Sequence, residues 1–304
     1  QGLHISSAEQ PVASLAPINA SRLPFTVFEL SNDSKQDITV AGIVVQASKP
    51  KEKTVIAGVA LISDLGLQVG PVEQLDSRQM ATIGGEFVIP AGMTQTYVVA
   101  ANMADCSYPC QDNATEVAVG VVGVKTSATT TGELPIIGAR HIFNADLKIG
   151  RVIVTSLSAG NSNLGFANRK DVLFSKLHFT NDGNEDLILR ALRFRYSGSA
   201  SYRDISNVRF RVGDQTFPGV WSSDGVYVTA ALTDVPVSGD ALLEVSLLAD
   251  VSSSVSYGQT MEFDMDDASD AYFVGQIYGY AIQPTVAGTP SVRPWLKGTT
   301  FTSS

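Results

Sequence analysis

The sequence predicts an all-β protein of two tandem antiparallel β-sandwich modules, and three observations predict it. Asn32-Asp33 and Asp37 recur as Asn181-Asp182 and Asp186, 149 residues further on, so one module is used twice. Val208, Phe210 and Val212 alternate with Arg209 and Arg211, and Leu243, Val245, Leu247 and Ala249 follow the same rule; period two marks half-buried strands. Turn chemistries such as Asn-Asp-Ser, Asn-Asp-Gly and Pro-Ala-Gly punctuate the chain every 8 to 12 residues or so, as in sandwiches and barrels. No amphipathic crossover helix of the kind a parallel α/β sheet needs is visible.

Further anchors extend the repeat in order. Ile62-Ser63 aligns with Ile205-Ser206, Val69-Gly70 with Val212-Gly213, Pro90 with Pro236, and Ala104-Asp105 with Ala249-Asp250. Their drifting offsets match loop insertions between fixed strands. Phe28 and Leu30 take the part of Leu177 and Phe179, while Tyr97, Val99, Ala101 and Met103 answer the 243–249 series. We expect module 1 over 1–143 and module 2 over 144–304, joined by a short linker. Each half of the 304 residues is long enough to bury its own core.

Composition limits function. Hydrophobic residues make up 44% and charged residues 17%, below the ~25% charge of ordinary soluble domains. With a net charge of -9 and a pI of about 4.8, nucleic acid is not an expected partner. Arg190, Arg193, Arg195, Arg209 and Arg211 form a basic stripe at strand spacing, either a solvated sheet face or one that meets an acidic neighbour. No apolar run approaches the ~18 residues of a transmembrane helix. Gln1 in place of an initiator Met leads us to expect a removed leader.

Cys106 and Cys110 are the only cysteines. We expect a disulfide, which favours an oxidising, extracellular setting. So small a loop would contribute only about 2 kcal/mol. A zinc half-site or a redox pair are the alternatives, but zinc asks for further Cys or His nearby and redox pairs normally have two intervening residues.

The survey for chemistry is otherwise negative. His4, His141 and His178 are scattered, and no nucleophile elbow, phosphate loop, dinucleotide fingerprint or His-Glu-x-x-His occurs; no enzyme is expected. The densest carboxylates are Glu262, Asp264, Asp266, Asp267 and Asp270. They are a solvated strand edge or a calcium site with Asp264, Asp266, Asp267 and Asp270 as ligands, lacking the glycine and distal glutamate of an EF-hand loop. Asn19, Asn32 and Asn113 open Asn-x-Ser/Thr triplets and are candidate glycan acceptors. Trp221 and Tyr227 are the candidate platform for a carbohydrate, against the plainer reading of hairpin packing.

The ends differ between the modules. Leu3, Ile5, Val12 and Leu15 lie in a polar first segment interrupted by Pro11, and Trp295 and Leu296 lie in a tail. Either end could pack on its own module or lie across a neighbouring subunit as an added strand.

Asp204-Ile205-Ser206-Asn207-Val208-Arg209-Phe210, Leu247-Leu248-Ala249-Asp250-Val251 and Tyr257-Gly258-Gln259-Thr260-Met261-Glu262-Phe263 resemble the immunoglobulin-like β-sandwich modules repeated in prokaryotic surface-layer, fibre and adhesin proteins. The resemblance covers about 147–290 and, more faintly, 20–140. It implies an extracellular structural or adhesive role. The Cys-bearing insertion and a chain of only two modules depart from a long stalk. The expectation is a secreted protein that assembles with copies of itself into a filament, sheath or surface layer. The alternative is a monomeric adhesin that binds cell-surface glycans.

Overall fold

The computed structural model describes residues 2–48, 55–106, 112–160, 167–288 and 294–303. The chain divides into two compact units, Gln1–Lys148 and Ile149–Ser304. Both are all-β; helix among the described residues amounts to the 3-10 turns Tyr202–Asp204 and Ala268–Asp270.

In unit 1 one sheet runs, in spatial order, through Thr130–Gly132, Leu3–Ser7, Leu23–Asn32, Thr94–Met103, Ile56–Ser63 and Gln68–Glu73. Unit 2 repeats that order with Thr285–Val286, Val152–Leu157, Arg169–Asn181, Leu242–Val251, Ile205–Val212 and Gln215–Pro218. Neighbours are antiparallel except at one edge, where Leu3 pairs in parallel with Thr130 and Ile153 with Thr285. In the second sheet of unit 1, Ile38–Ala47 lies between Val119–Thr126 on one side and Met80–Ile83 and Phe87–Ile89 on the other. In unit 2, Leu187–Ser197 lies between Tyr227–Val237 and the successive strands Thr260–Asp264 and Ala271–Gly275.

Alternation explains which residues fill the space between sheets. Phe25, Phe28 and Leu30 point inward from one strand, Phe174, Leu177 and Phe179 from its counterpart, and all six are at most 1% exposed. Rings cross from sheet to sheet: Phe174 meets Phe263 at 5.1 Å, Phe179 meets Phe273 at 5.2 Å, and Tyr97 meets Phe87 at 5.2 Å. Each such side chain contributes roughly 1.5–3 kcal/mol through burial.

Pairing register corrects part of the repeat alignment. Phe28 opposes Tyr97 and Leu177 opposes Val245; Leu61 opposes Val99 and Phe210 opposes Leu247. Leu61 is therefore the counterpart of Phe210, and Ile62-Ser63 does not match Ile205-Ser206. By the same register Ala101, not Ala104, answers Ala249, and Ile89, not Pro90, fixes the position that Val237 occupies. Val69 pairs with Leu61 in the same place that Phe217 pairs with Phe210, so it does not answer Val212. Those matches were of letters in loops and strand ends, where composition repeats without position. The Asn-Asp match holds because both copies sit at one hydrogen-bonded corner.

A second repeated element is visible only in the fold. Ile136, Gly138 and His141 recur as Leu296, Gly298 and Phe301, 160 residues apart. Ile136 bridges to Val121 as Leu296 does to Met265, and His141 pairs with Val117 as Phe301 does with Met261. His141 stands edge-on to Phe25 at 4.7 Å and Phe301 edge-on to Phe174 at 5.1 Å. Each unit thus ends in a closing strap laid along its second sheet. Gly138 and Gly298 are required there, because a Cβ would lie 2.2 Å from the Phe25 carbonyl oxygen in one and 2.0 Å from that of Phe263 in the other.

The straps overturn the expectation of atypical ends. Leu3 and Ile5 are 0% and 1% exposed within their own sheet, and Leu296 is 8% exposed. Trp295 is half-buried, its N–H donating to the Asp266 carbonyl at 3.1 Å. Of the six proposed assembly residues, Val12 and Leu15 are left outward, 87% and 40% exposed. The edges of the two six-stranded sheets are also poor acceptors for an added strand: Gln68–Glu73 carries Pro71 and a positive-φ Gly70, Gln215–Pro218 ends in proline, and the opposite edges are two or three residues long. No helix among the described residues is long and apolar enough to cross a membrane.

Candidate functional site

The acidic cluster sits in unit 2, where Thr260–Asp264 leads through the turn Ala268–Asp270 into Ala271–Gly275. Arg193 lies on the outer face of the adjacent strand, opposite to Phe194, whose ring meets Phe210 of the other sheet; the turn and Tyr227 cover it, leaving it 3% exposed. Its Nε and Nη2 both lie 2.8 Å from Asp270 Oδ1. Asp270 is fully buried, and its Oδ2 accepts from the Asp266 and Asp267 N–H groups at 3.0 and 3.1 Å. Asp267 caps the same turn, accepting from the Ser269 N–H and hydroxyl at 2.9 Å each. Burial raises the Asp267 carboxyl above its ordinary pKa and the Asp270 carboxylate adds to the rise, against the Ser269 donors.

The guanidinium of Arg193 lies 4.2 Å from the ring centre of Tyr227, whose hydroxyl donates to Asp266 Oδ2 at 3.0 Å. Burial pushes the Tyr227 phenol well above its usual pKa, with Arg193 opposing and Asp266 reinforcing. Arg195 Nε stands 3.7 Å from the same Asp266 oxygen. Asp264 faces elsewhere: Oδ1 accepts from the Gly298 N–H at 2.7 Å and Oδ2 from the Ser197 hydroxyl at 3.3 Å.

This geometry corrects the calcium reading. Asp270 and Asp267 face Arg193 and backbone N–H groups, Asp266 faces Tyr227 and Arg195, and Asp264 holds the strap. Among the described residues no three His, Cys, Asp or Glu side chains are grouped to hold a metal. The density of carboxylates that suggested ligands is real, but each one is directed at a different partner.

The carbohydrate platform is corrected as well. Trp221 is half-buried, edge-on to Tyr196 at 5.7 Å and within 5.4 and 6.0 Å of Tyr202 and Phe263. One face of Tyr227 is covered by Arg193. A sugar needs an open ring face, and these rings are packed.

The duplicated corner is the best-organised polar feature. Asn32 Nδ2 donates to the Gln36 and Ile89 carbonyls at 2.8 and 2.9 Å, and Asn181 Nδ2 to the Glu185 and Val237 carbonyls at 2.9 and 3.1 Å. The Oδ1 atoms accept from the N–H of Ser34 and Gly183. Asp37 and Asp186 then tie the Ala91 and Gly239 N–H groups at 2.9 and 2.8 Å. Asn32 is therefore no glycan acceptor: it is 2% exposed and the nitrogen a sugar would occupy makes two internal bonds. Asn19 sits half-buried at a φ of 61°. Asn113 is exposed, with Nδ2 bonded to Asp146 Oδ2 at 2.9 Å.

The arginine stripe meets carboxylates of its own unit. Arg190 lies 3.8 Å from Asp234, and Arg209 bonds Asp171 and reaches Asp250 at 3.4 Å. His178 and Lys176 flank Glu244 at 3.1 and 2.9 Å, holding its carboxyl below the usual range. His141 is buried, with Nε2 2.8 Å from the Pro24 carbonyl and Nδ1 3.0 Å from the Ser14 hydroxyl. Cys106 is not a free thiol, while Cys110 lies outside the described residues.

Two open grooves belong to unit 1. One of about 440 Å³ is lined by Val44, Asp76, Arg78, Met80 and Lys125, the other, of about 410 Å³, by His4, Ser7, Glu133, Pro135 and Ile137. None of the groups with a displaced pKa lines either.

No protein-family model matches the sequence. No curated protein matches it either. Among solved structures it is similar to the calcium-binding domain CBD12 of CALX1.1, at 8% identity over 86% of this chain and 80% of that one, with a TM-score of 0.23. It is similar to the serine-rich repeat adhesion glycoprotein Srr1 of Streptococcus agalactiae at 8% identity over 92% and 94%, with a TM-score of 0.19. The secreted serine protease VesC of Vibrio cholerae gives 13% identity over 83% of this chain, TM-score 0.21, and this chain spans about half of it, 48%. At these identities and TM-scores the likenesses carry no argument about function.

Proposed function

We propose that the protein is a non-catalytic extracellular building block that works by associating with copies of itself. The observation that supports this is an outward apolar row on the short sheet of unit 1. Leu15 and Ile142 are register partners on adjacent strands, 40% and 37% exposed, with Val12 87% exposed just upstream. Side-by-side apolar residues left in water are what an interface uses. The buried polar groups described above tie backbone and straps within each unit, which suits a load-bearing part. A filament, sheath or layer is the form this reading favours, with the Cys106–Cys110 loop expected to be oxidised.

Sedimentation of the full chain over a range of concentrations tests it. The expected result is concentration-dependent association that Leu15→Glu with Ile142→Glu abolishes while the circular dichroism stays unchanged. A chain that remains monomeric at every concentration, or a double variant that associates normally, would sink the reading.

A further inference from the structure

We propose that the closing strap of unit 2, residues 294–303, is a pH-operated latch: a proton shared by Glu262 and Asp264 holds it shut in mildly acidic solution, and loss of that proton loosens it. The inference is independent of self-association.

The geometry comes first. Leu296 bridges to Met265 and Phe301 pairs with Met261, so the strap lies along the strand that carries both acids. Gly298 donates its N–H to Asp264, and Thr300 donates its hydroxyl to Glu262 Oε2. Glu262 and Asp264 are 9% and 3% exposed and stand two residues apart on one strand, hence on the same face of it. Two like charges buried side by side disfavour one another, so a proton held by the pair is favoured while the strap covers it.

The repeat supplies the contrast. Met261 and Met265 stand where unit 1 has Val117 and Val121, 144 residues earlier, and by that offset Glu262 and Asp264 replace Ala118 and Gly120. The fold of this strap therefore needs no acid at either place. Unit 1 closes the same joint with neutral bonds, Gly138 N–H to the Thr26 hydroxyl at 2.9 Å and Ala139 N–H to the Phe25 carbonyl at 2.7 Å.

The surroundings do not neutralise the pair. From Leu187–Ser197, Ser197 donates to Asp264, and Arg195 opposes Asp264 in register but is 42% exposed and directed at Asp266. Strand Arg169–Asn181 presents Phe174 to Phe263. The strap itself brings Lys297, which is exposed. Beyond the strand's end Asp266, Asp267 and Asp270 engage Arg193, Arg195 and Tyr227. Burial first, then the Glu262 carboxylate, pushes the Asp264 carboxyl up to about 6, against the Gly298 and Ser197 donors.

The sign follows by linkage. A carboxyl whose folded pKa lies above its ordinary 3.8 favours the closed strap fully below that ordinary value, and the preference is lost as pH rises through about 6. From those two values, opening should rise by up to about tenfold between about pH 5 and about pH 7.5, the upper bound applying if closure of the strap causes the whole rise.

Hydrogen exchange of the full chain, corrected for intrinsic rates, reads this directly, with the unit 1 strap at 136–143 as the reference inside the same molecule. The expected result is that protection of 294–303 falls, by up to about tenfold, relative to 136–143 across that range. In the variant Glu262→Gln with Asp264→Asn, which keeps donors and acceptors, the pH dependence should vanish. An unchanged protection ratio in the native chain overturns the latch, and so does a variant that retains the full dependence while its unit 1 strap stays protected. Association by sedimentation is a separate readout and can fail or succeed without touching this one.

Discussion

Replacing Asn181 by Ala removes a side chain that makes three buried bonds, two to the Glu185 and Val237 carbonyls and one from the Gly183 N–H. At about 1 kcal/mol each for neutral bonds, with a further cost for carbonyls left dry, the loss is roughly 3–4 kcal/mol. For a unit of this size that lowers the melting temperature by roughly 6–15 °C. Asn181→Asp should cost at least as much, because a carboxylate would then face the two carbonyl oxygens in place of an amide donor. Both tryptophans, Trp221 and Trp295, lie in unit 2, so fluorescence during urea unfolding follows that unit alone. Asn32→Ala, breaking the equivalent bonds of unit 1, should leave the tryptophan transition in place and shift an earlier or later circular dichroism transition by a similar energy. A loss below about 1 kcal/mol at Asn181, or an Asp variant more stable than the Ala variant, would refute the view that this amide clamps the corner.

Arg193→Met should destabilise unit 2 by roughly 3–5 kcal/mol, since it leaves Asp270 buried without its counter-charge, and adding Asp270→Asn should restore part of the loss; urea titration followed by tryptophan fluorescence decides it. Calcium in excess, or its removal by a chelator, should leave the melting temperature unchanged, because a ligand that binds only the folded state must raise it; a rise that grows with calcium concentration would restore the calcium reading.

The fold was legible where a pattern is enforced by burial. Period two in 208–212 and 243–249 had to mean half-buried strands, because a one-residue slip would turn Val245 and Leu247 to solvent. Asn32 and Asn181 stood out because the corner they hold admits few other side chains. Loops and strand ends carried no such constraint, so the Ile62, Val69, Pro90 and Ala104 matches slid out of register. The straps were illegible for a different reason. Ile136-x-Gly138 and Leu296-x-Gly298 share only an apolar residue and a glycine, and what makes them equivalent is contact with Phe25 and Phe174, which are distant in sequence. At the acidic cluster density misled, because strand Thr260–Asp264 gives way at Met265 to a turn that points successive carboxylates at different partners. Arg193 alternates with Leu192 and Phe194 as an outward residue, and its burial comes from the turn that carries Asp270 folding over it, which alternation along one strand does not reveal.

Having the module twice makes each unit a control for the other. Among the described residues, the buried polar side chains of unit 1 are neutral amides and hydroxyls together with His141, whereas those of unit 2 include Glu185, Arg193, Glu262, Asp264 and Asp270. Glu185 accepts from the Gly150 and Ile277 N–H groups at 2.7 and 2.9 Å, while Gln36 at the corresponding place in unit 1 is exposed. A buried carboxylate carries a desolvation cost that a neutral group does not. Since unit 1 reaches the same strand order and the same strap without buried acids, the topology does not demand them. Burial raises the pKa of the Asp264 and Asp267 carboxyls, so the stability they contribute is present at low pH and is lost as pH rises. The two units of this chain should therefore respond differently to pH, and under the proposed latch the joint at Glu262 and Asp264 is where that difference would reach the strap.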